Sequence, residues 1–218
     1  LSESMTPGAI SDLGESPEIA FRVQFEGAMP PQSMLYWRGP TFGSFDGTTW
    51  RALSRPVVPL PAPDIRFDPG RRTAYSITQE PSRRPWLFAL ELPVRVSMPP
   101  GLPATMQPDL QLVTNAPLAS RTRFTIESSV GWQAGLNETP ASLRNWLELP
   151  PGFNPRTMAL AARWREDRGS DQHLVERALT MFREQPFRYT LQPPQLGRDS
   201  VDDFLFGTEP NEWLKAQA

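Results

Sequence analysis

The chain contains no cysteine, one histidine and one lysine, and these shortages close off much chemistry before any motif is read. Without Cys there is no disulfide framework, no thiolate metal site and no cysteine nucleophile. His173 is the only side chain whose unperturbed pKa lies near neutrality. Of 22 basic residues only Lys215 is not Arg, so primary amines are almost confined to the N-terminus. Neither sign of charge dominates: a net charge of −2 gives no electrostatic basis for binding nucleic acid or an acidic membrane surface. No apolar run approaches the roughly 18 residues of a bilayer span, and no signal peptide is recognisable. Gly-rich phosphate loops, zinc spacings and His-Glu-x-x-His patterns are missing as well. The expectation is a soluble piece with no cofactor and no metal. Its first residues lack an initiator Met, consistent with excision from a longer protein.

What the chain does have is proline and aromatic bulk. Its 26 Pro among 218 residues exceed the usual share of about 5%, so long loops and edge strands are expected. Seven Trp and twelve Phe supply a core. Residues 1–18 read as a polar leader or linker. Ile19, Phe21, Val23 and Phe25 then alternate with Ala20, Arg22, Gln24 and Glu26, the period of a half-buried strand. Leu35 to Gly39 is a short aromatic strand, and Asp46-Gly47 supplies the turn of a hairpin through Trp50, which would set Trp37 and Trp50 on neighbouring strands. Pro56 to Pro69 reads as an extended connection rather than regular structure. Further strands are expected at 73–79, 86–90, 94–96, 109–114 and 121–130, each bounded by Pro, Gly or Asn. Such short runs indicate an all-β domain, a sandwich or barrel-like fold, over 19–138.

The period then lengthens. Thr139-Pro140 and Asn154-Pro155 each read as a cap followed by Pro at the first helical position, the second opening a helix over 156–168 stopped by Gly169. Ser170 caps a helix over 171–184, in which Leu174, Val175, Ala178, Leu179 and Phe182 make a stripe expected to be buried. The fold class expected is α+β, with a β-rich domain over 19–138 and a helical region over 139–208 too small for an independent core.

Three groups of residues invite a functional interpretation. Asp202-Asp203 pairs two carboxylates, but neighbours in sequence do not share a helix face, and Ser200-Val-Asp-Asp203 fits a capped helix start. His173 falls in a first helical turn with nothing local to nominate a nucleophile or an orienting acid. Tyr36, Trp37, Arg38 and Trp50, with Arg51, form an aromatic and basic cluster that suits a peptide or sugar, though aromatics on alternating strands more often belong to a core. The doublets Arg71-Arg72 and Arg83-Arg84 fall far short of a nucleic-acid footprint.

Four motifs occur in a particular order: Leu35-Tyr-Trp-Arg-Gly-Pro40 with Phe45-Asp-Gly-Thr-Thr-Trp50, Leu149-Pro-Pro-Gly-Phe-Asn-Pro155, Phe187-Arg-Tyr-Thr-Leu-Gln-Pro-Pro194, and Val201-Asp-Asp-Phe-Leu-Phe206. Together they resemble the periplasmic portion of TgpA-type bacterial transglutaminase-like membrane proteins. The resemblance implies a multi-pass inner-membrane parent whose periplasmic region carries a β-rich domain and then a papain-like transglutaminase core. There a Cys forms a thioester with a glutamine side chain, assisted by His and Asp. Where the family continues with Thr-Arg-x-Gly-Phe-Cys-Glu-His or similar, this chain has Gly207-Thr208 and then Glu209 to Ala218, a tail that does not continue the motif. No catalytic residue carries over, and the chain is expected to stop short of its nucleophile and to be inactive alone. The partners implied are the remainder of the core and a cell-envelope protein or peptidoglycan.

Overall fold

A computed structural model describes residues 4–7, 18–53, 64–187 and 194–207. Most of the leader, most of the Pro56–Pro69 connection, the centre of the Phe187–Pro194 motif and the tail from Thr208 lie outside the described residues. The strands are β1 Ser4–Met5, β2 Phe21–Phe25, β3 Trp37–Arg38, β4 Ser44–Phe45, β5 Trp50–Arg51, β6 Ile65–Phe67 and β7 Arg72–Gln79. They continue with β8 Ala89–Leu90, β9 Leu92–Ser97, β10 Ala104–Met106, β11 Leu112–Thr114, β12 Thr122–Ser129 and β13 Trp132–Ala134. The helices are α1 Pro140–Leu147, α2 Pro155–Glu166, α3 Asp171–Glu184 and α4 Ser200–Phe206. This is an α+β chain with a β-rich N-terminal part. Its contacts divide it into two units: Leu1–Glu3, Pro17–Ser44 and Arg51–Leu147 form the β-rich one, and Ser4–Ser16, Phe45–Trp50 and Glu148–Ala218 the helical one.

The β-rich unit is built on an antiparallel sheet in the order β2-β7-β12-β9. The central strands β7 and β12 pair along their whole length, with Ile126 opposite Tyr75 and Phe124 opposite Ile77. Period-two alternation sends Phe124 and Ile126 inward and Arg123, Thr125 and Glu127 outward. Against the inner face lie Leu87, Phe88, Ala89 and Leu90, with Leu112 and Leu118, in one buried cluster. Tyr75 and Gln79 pair the polar atoms they bring into this core, while the buried Trp86 indole N–H has no partner among the described residues. The Tyr75 hydroxyl accepts from the Leu90 N–H at 2.7 Å and bonds the Ser128 hydroxyl at 3.0 Å. Buried Gln79 donates to the Trp86 carbonyl and accepts from the Phe88 N–H, both at 3.1 Å. Burial pushes the Tyr75 phenol up to about 12, against the smaller opposing effect of its two hydrogen bonds. On the outer face, hydrogen bonds from Arg121 and Arg22 hold the Glu80 carboxyl below the usual range.

Several strands escape the sequence patterns. Ile65–Phe67, inside the stretch expected to be irregular, pairs with Trp132–Ala134, and Ala104–Met106 pairs with Leu112–Thr114 of the strand expected at 109–114, so the strands missed are β6, β10 and β13. Each has three residues, too few for alternation to register. Nor are Trp37 and Trp50 on neighbouring strands: β3 pairs with β8, whereas β5 lies between β1 and β4.

In the helical unit α2 starts at Pro155, the expected first helical position, but the Asn154 side chain makes no capping hydrogen bond to its own helix. The left-handed conformation after it is taken by Arg168, at φ 50°, rather than by Gly169. The Ser170 hydroxyl caps α3 as expected, accepting from the His173 N–H at 3.2 Å. The apolar stripe is not buried: no α3 residue is, and Val175, Leu179 and Phe182 stay 59%, 45% and 41% exposed. Helical periodicity finds an apolar face but not the partner that covers it.

Candidate functional site

The aromatic cluster divides. Trp37 packs its indole on Phe21 at 5.1 Å and edge-on to Tyr75 at 5.6 Å, so it serves the core. Trp50, in the helical unit, stacks on Phe45 at 4.7 Å across the hairpin. Tyr36 and Arg38 point elsewhere and meet a residue the sequence patterns do not nominate, Trp132. The Arg38 guanidinium lies 5.4 Å from the centres of both the Tyr36 and the Trp132 rings. Its Nε is buried with no hydrogen-bond partner among the described residues. Such a stack holds Arg through its planar face and leaves its edge donors for other groups. Glu91 completes the arrangement: its carboxylate accepts from the Trp132 indole N–H at 3.1 Å, and its backbone N–H donates to the Tyr36 carbonyl at 2.8 Å. Glu91 holds φ at 48°, a left-handed conformation uncommon for a residue with a side chain. The one sequence signal for Trp132 is its place just after the turn that closes β12 at Gly131.

Beside Trp132 the β-rich unit carries an open cleft of about 480 Å³, walled by Phe42, Trp132 and Trp146 and bearing Asp64, Asp109 and Glu138. Trp146 reaches it from α1, and Gly43 permits the approach, because a Cβ there would sit 2.3 Å from the Trp146 ring. Asp109 lies at the tip of the β10–β11 hairpin, where its carboxylate accepts from the Gln111 N–H at 3.1 Å. The hydroxyl of Thr41 donates to the Asp109 carbonyl at 3.4 Å. Glu138 accepts a short hydrogen bond from the Ser142 hydroxyl at the start of α1. Among the described residues no three His, Cys, Asp or Glu side chains form a group suited to a metal ion.

In the helical unit the carboxylates are absorbed by structure. Asp202, 3% exposed, accepts from the N–H groups of Arg156 and Thr157 at 2.8 and 2.7 Å and from the Thr157 hydroxyl at 2.6 Å, at the first turn of α2. Burial opposes its charge. The Thr157 hydroxyl, the two N–H groups and the Arg156 charge outweigh burial, so its pKa falls below the ordinary value. Asp203 turns the other way and accepts from the Gly197 N–H at 2.7 Å. The residue flanking α4 is Asp199, and Ser200 is the first helical residue rather than the cap. His173 is exposed at the start of α3 with its ring beside Gly169. Among the described residues the geometry therefore contains a stacked arginine and an acidic aromatic cleft, both in the β-rich unit, while Asp202 and Asp203 of the helical unit turn apart.

Residues 1–132 match the family described as TgpA N-terminal domain. The chain is 39% identical over 217 residues to a protein-glutamine gamma-glutamyltransferase of Pseudomonas aeruginosa, covering 95% of this chain and 30% of that protein. It thus spans less than a third of the relative's length. The crystal structure of the periplasmic domain of TgpA from Pseudomonas aeruginosa bound to ethylmercury superposes with a TM-score of 0.82 at 38% identity, over 95% of this chain and 72% of that one. A second crystal structure of that periplasmic domain gives 0.82 at 37%, over 95% and 70%. With more than half its length matched by the family and nearly all of it by a solved fold, the chain belongs to the TgpA N-terminal domain family.

Proposed function

We propose that this chain is a non-catalytic portion of a transglutaminase-like protein, in which the β-rich unit and the opening helices act as scaffold for a core completed by further sequence. The observation that carries this is the face of α3: Val175, Leu179 and Phe182 stand exposed on one side of a helix with no buried residue. An isolated domain gains nothing from such a face, whereas a helix awaiting a covering layer requires it. The relative's name adds the parent activity, acyl transfer on protein glutamine, and the matched crystal structures add a periplasmic setting. A multi-pass inner-membrane parent belongs to this reading; among the described residues themselves no helix is long and apolar enough to cross a membrane. Incorporation of a fluorescent amine into a glutamine-rich protein tests the assignment. The chain alone gives none, and measurable incorporation by it would refute a non-catalytic role.

A second reading, favoured by the Tyr36–Arg38–Trp132 stack, makes the β-rich unit a binding module for a cell-envelope peptide, glycan or protein. Titration with peptidoglycan fragments and envelope peptides, followed by tryptophan fluorescence, tests it. Saturable change supports the module, and no change with either ligand class contradicts it.

A further inference from the structure

The cleft beside Trp132 has a charge pattern that selects among occupants. Its volume of about 480 Å³ lies within the range of roughly 300–1,000 Å³ typical of ligand sites. Asp64, Asp109 and Glu138 line it, and no Arg, Lys or His among the described residues does. Their carboxylates are not spent on one another. Asp109 accepts from the Gln111 N–H through Oδ1 and Glu138 from the Ser142 hydroxyl through Oε2, while the Asp64 side chain has no hydrogen bond among the described residues. A neutral occupant would desolvate these charges without compensating them, and an anion would be repelled. A bare metal ion is poorly served, because the acids form no group suited to one. An organic cation meets the carboxylates with its charge and the Trp146 indole with its ring-facing side, the Trp132 ring already carrying Arg38.

The strand beside the cleft indicates how the cation arrives. Trp132 and Ala134 of β13 both line it, and among the described residues β13 is paired on one side only, to β6. An extended polypeptide can add to a free strand edge through main-chain hydrogen bonds and drop alternate side chains into a neighbouring pocket. We infer that the cleft receives a lysine or arginine side chain of an extended basic segment of a partner polypeptide. This rests on the binding-module reading and specifies its ligand.

Isothermal titration calorimetry on the whole chain tests it with four probes: a capped lysine tetrapeptide, a capped glutamate tetrapeptide, cadaverine and chitotetraose. The lysine peptide binds, more weakly as salt rises, and binds about tenfold more weakly to the Asp64→Asn, Asp109→Asn double variant. Both changes are isosteric, and the amide introduced by Asp109→Asn keeps an acceptor oxygen for the Gln111 N–H, so an unchanged circular dichroism spectrum assigns the loss to the cleft. Equal binding of the glutamate peptide, no binding of the lysine peptide, or an unaffected double variant overturns the inference. Cadaverine binding as tightly as the peptide overturns the polypeptide source. Binding of chitotetraose in place of the lysine peptide overturns the cation and leaves the binding-module reading standing.

Discussion

Asn154 and Asp202 cap each other's helices. The Asn154 side-chain oxygen accepts from the N–H groups of Val201 and Asp202 at 3.0 and 3.3 Å, at the start of α4. The Asp202 carboxylate accepts from Arg156 and Thr157 at the start of α2. Each side chain satisfies orphan donors of the other's helix, and this exchange between two residues 48 apart in sequence locks the two helix starts together. Neither helix need be stable alone for the pair to hold.

Removing one side of this exchange strands buried N–H groups. Asp202→Ala is expected to destabilise by about 2–3 kcal/mol, the sum of a lost cap and unsatisfied buried donors, and Asp202→Asn by less because one acceptor oxygen remains. Urea unfolding followed by circular dichroism measures both, and equal losses would show that the charge and not the acceptor matters.

The same site sets an acid sensitivity. The folded pKa of Asp202 lies below its ordinary 3.8, so its stabilisation is present above that value and disappears as pH falls through the folded pKa. The gap in urea midpoint between the wild type and Asp202→Asn is therefore expected to close on acidification below about 3.8. A gap that persists or widens in acid would contradict the assignment.

At the other extreme of pH, Tyr75 controls the β-rich unit. Its folded pKa is raised to about 12 by burial, so the stability it lends is complete below the unfolded value of 10.0 and is lost as pH rises through the folded one. Ultraviolet titration is expected to show one of the three tyrosines ionising last and together with unfolding. Tyr75→Phe leaves the Leu90 N–H buried and unpaired, with an expected cost of about 1–3 kcal/mol in denaturant unfolding.

Gly47 lets the 45–50 hairpin approach the ring of Phe153 in the 149–155 loop. It holds φ at 105°, and a Cβ there would lie 2.6 Å from ring carbons of Phe153. The Arg198 guanidinium covers the Phe153 ring at 4.6 Å and donates to the Gly152 carbonyl at 3.0 Å. Gly47→Val is expected to lower the melting temperature through both the strained backbone and the clash, while Gly27→Ala, which meets nothing within 4 Å, leaves it nearly unchanged.

Much of this is legible in the sequence where a period runs long enough to repeat. Arg72–Gln79 and Thr122–Ser129 show alternation over eight residues, and Asp171–Glu184 combines a Ser cap with a helical stripe, so all three stand out. The Asp202-Asp203 pair points to capping, because adjacent residues on a helix diverge. That Asp202 caps α2 and not its own helix is not legible, since it depends on a contact 46 residues away. Trp132 escapes for a related reason. A three-residue strand gives no pattern, and its stack with Arg38 is created by tertiary packing alone. The exposed face of α3 is the reverse case, in which periodicity announces burial and the described chain covers Phe182 only in part, through Phe187 and Phe204, and leaves Val175 and Leu179 exposed.

That face is where the central claim is most open to test. Amide hydrogen exchange across Asp171–Glu184 should be compared between this chain alone and the longer protein in which the proposed core is complete. Protection in α3 is expected to rise roughly tenfold or more when Val175, Leu179 and Phe182 are covered. Unchanged exchange in the longer protein would contradict a scaffold that waits for its core.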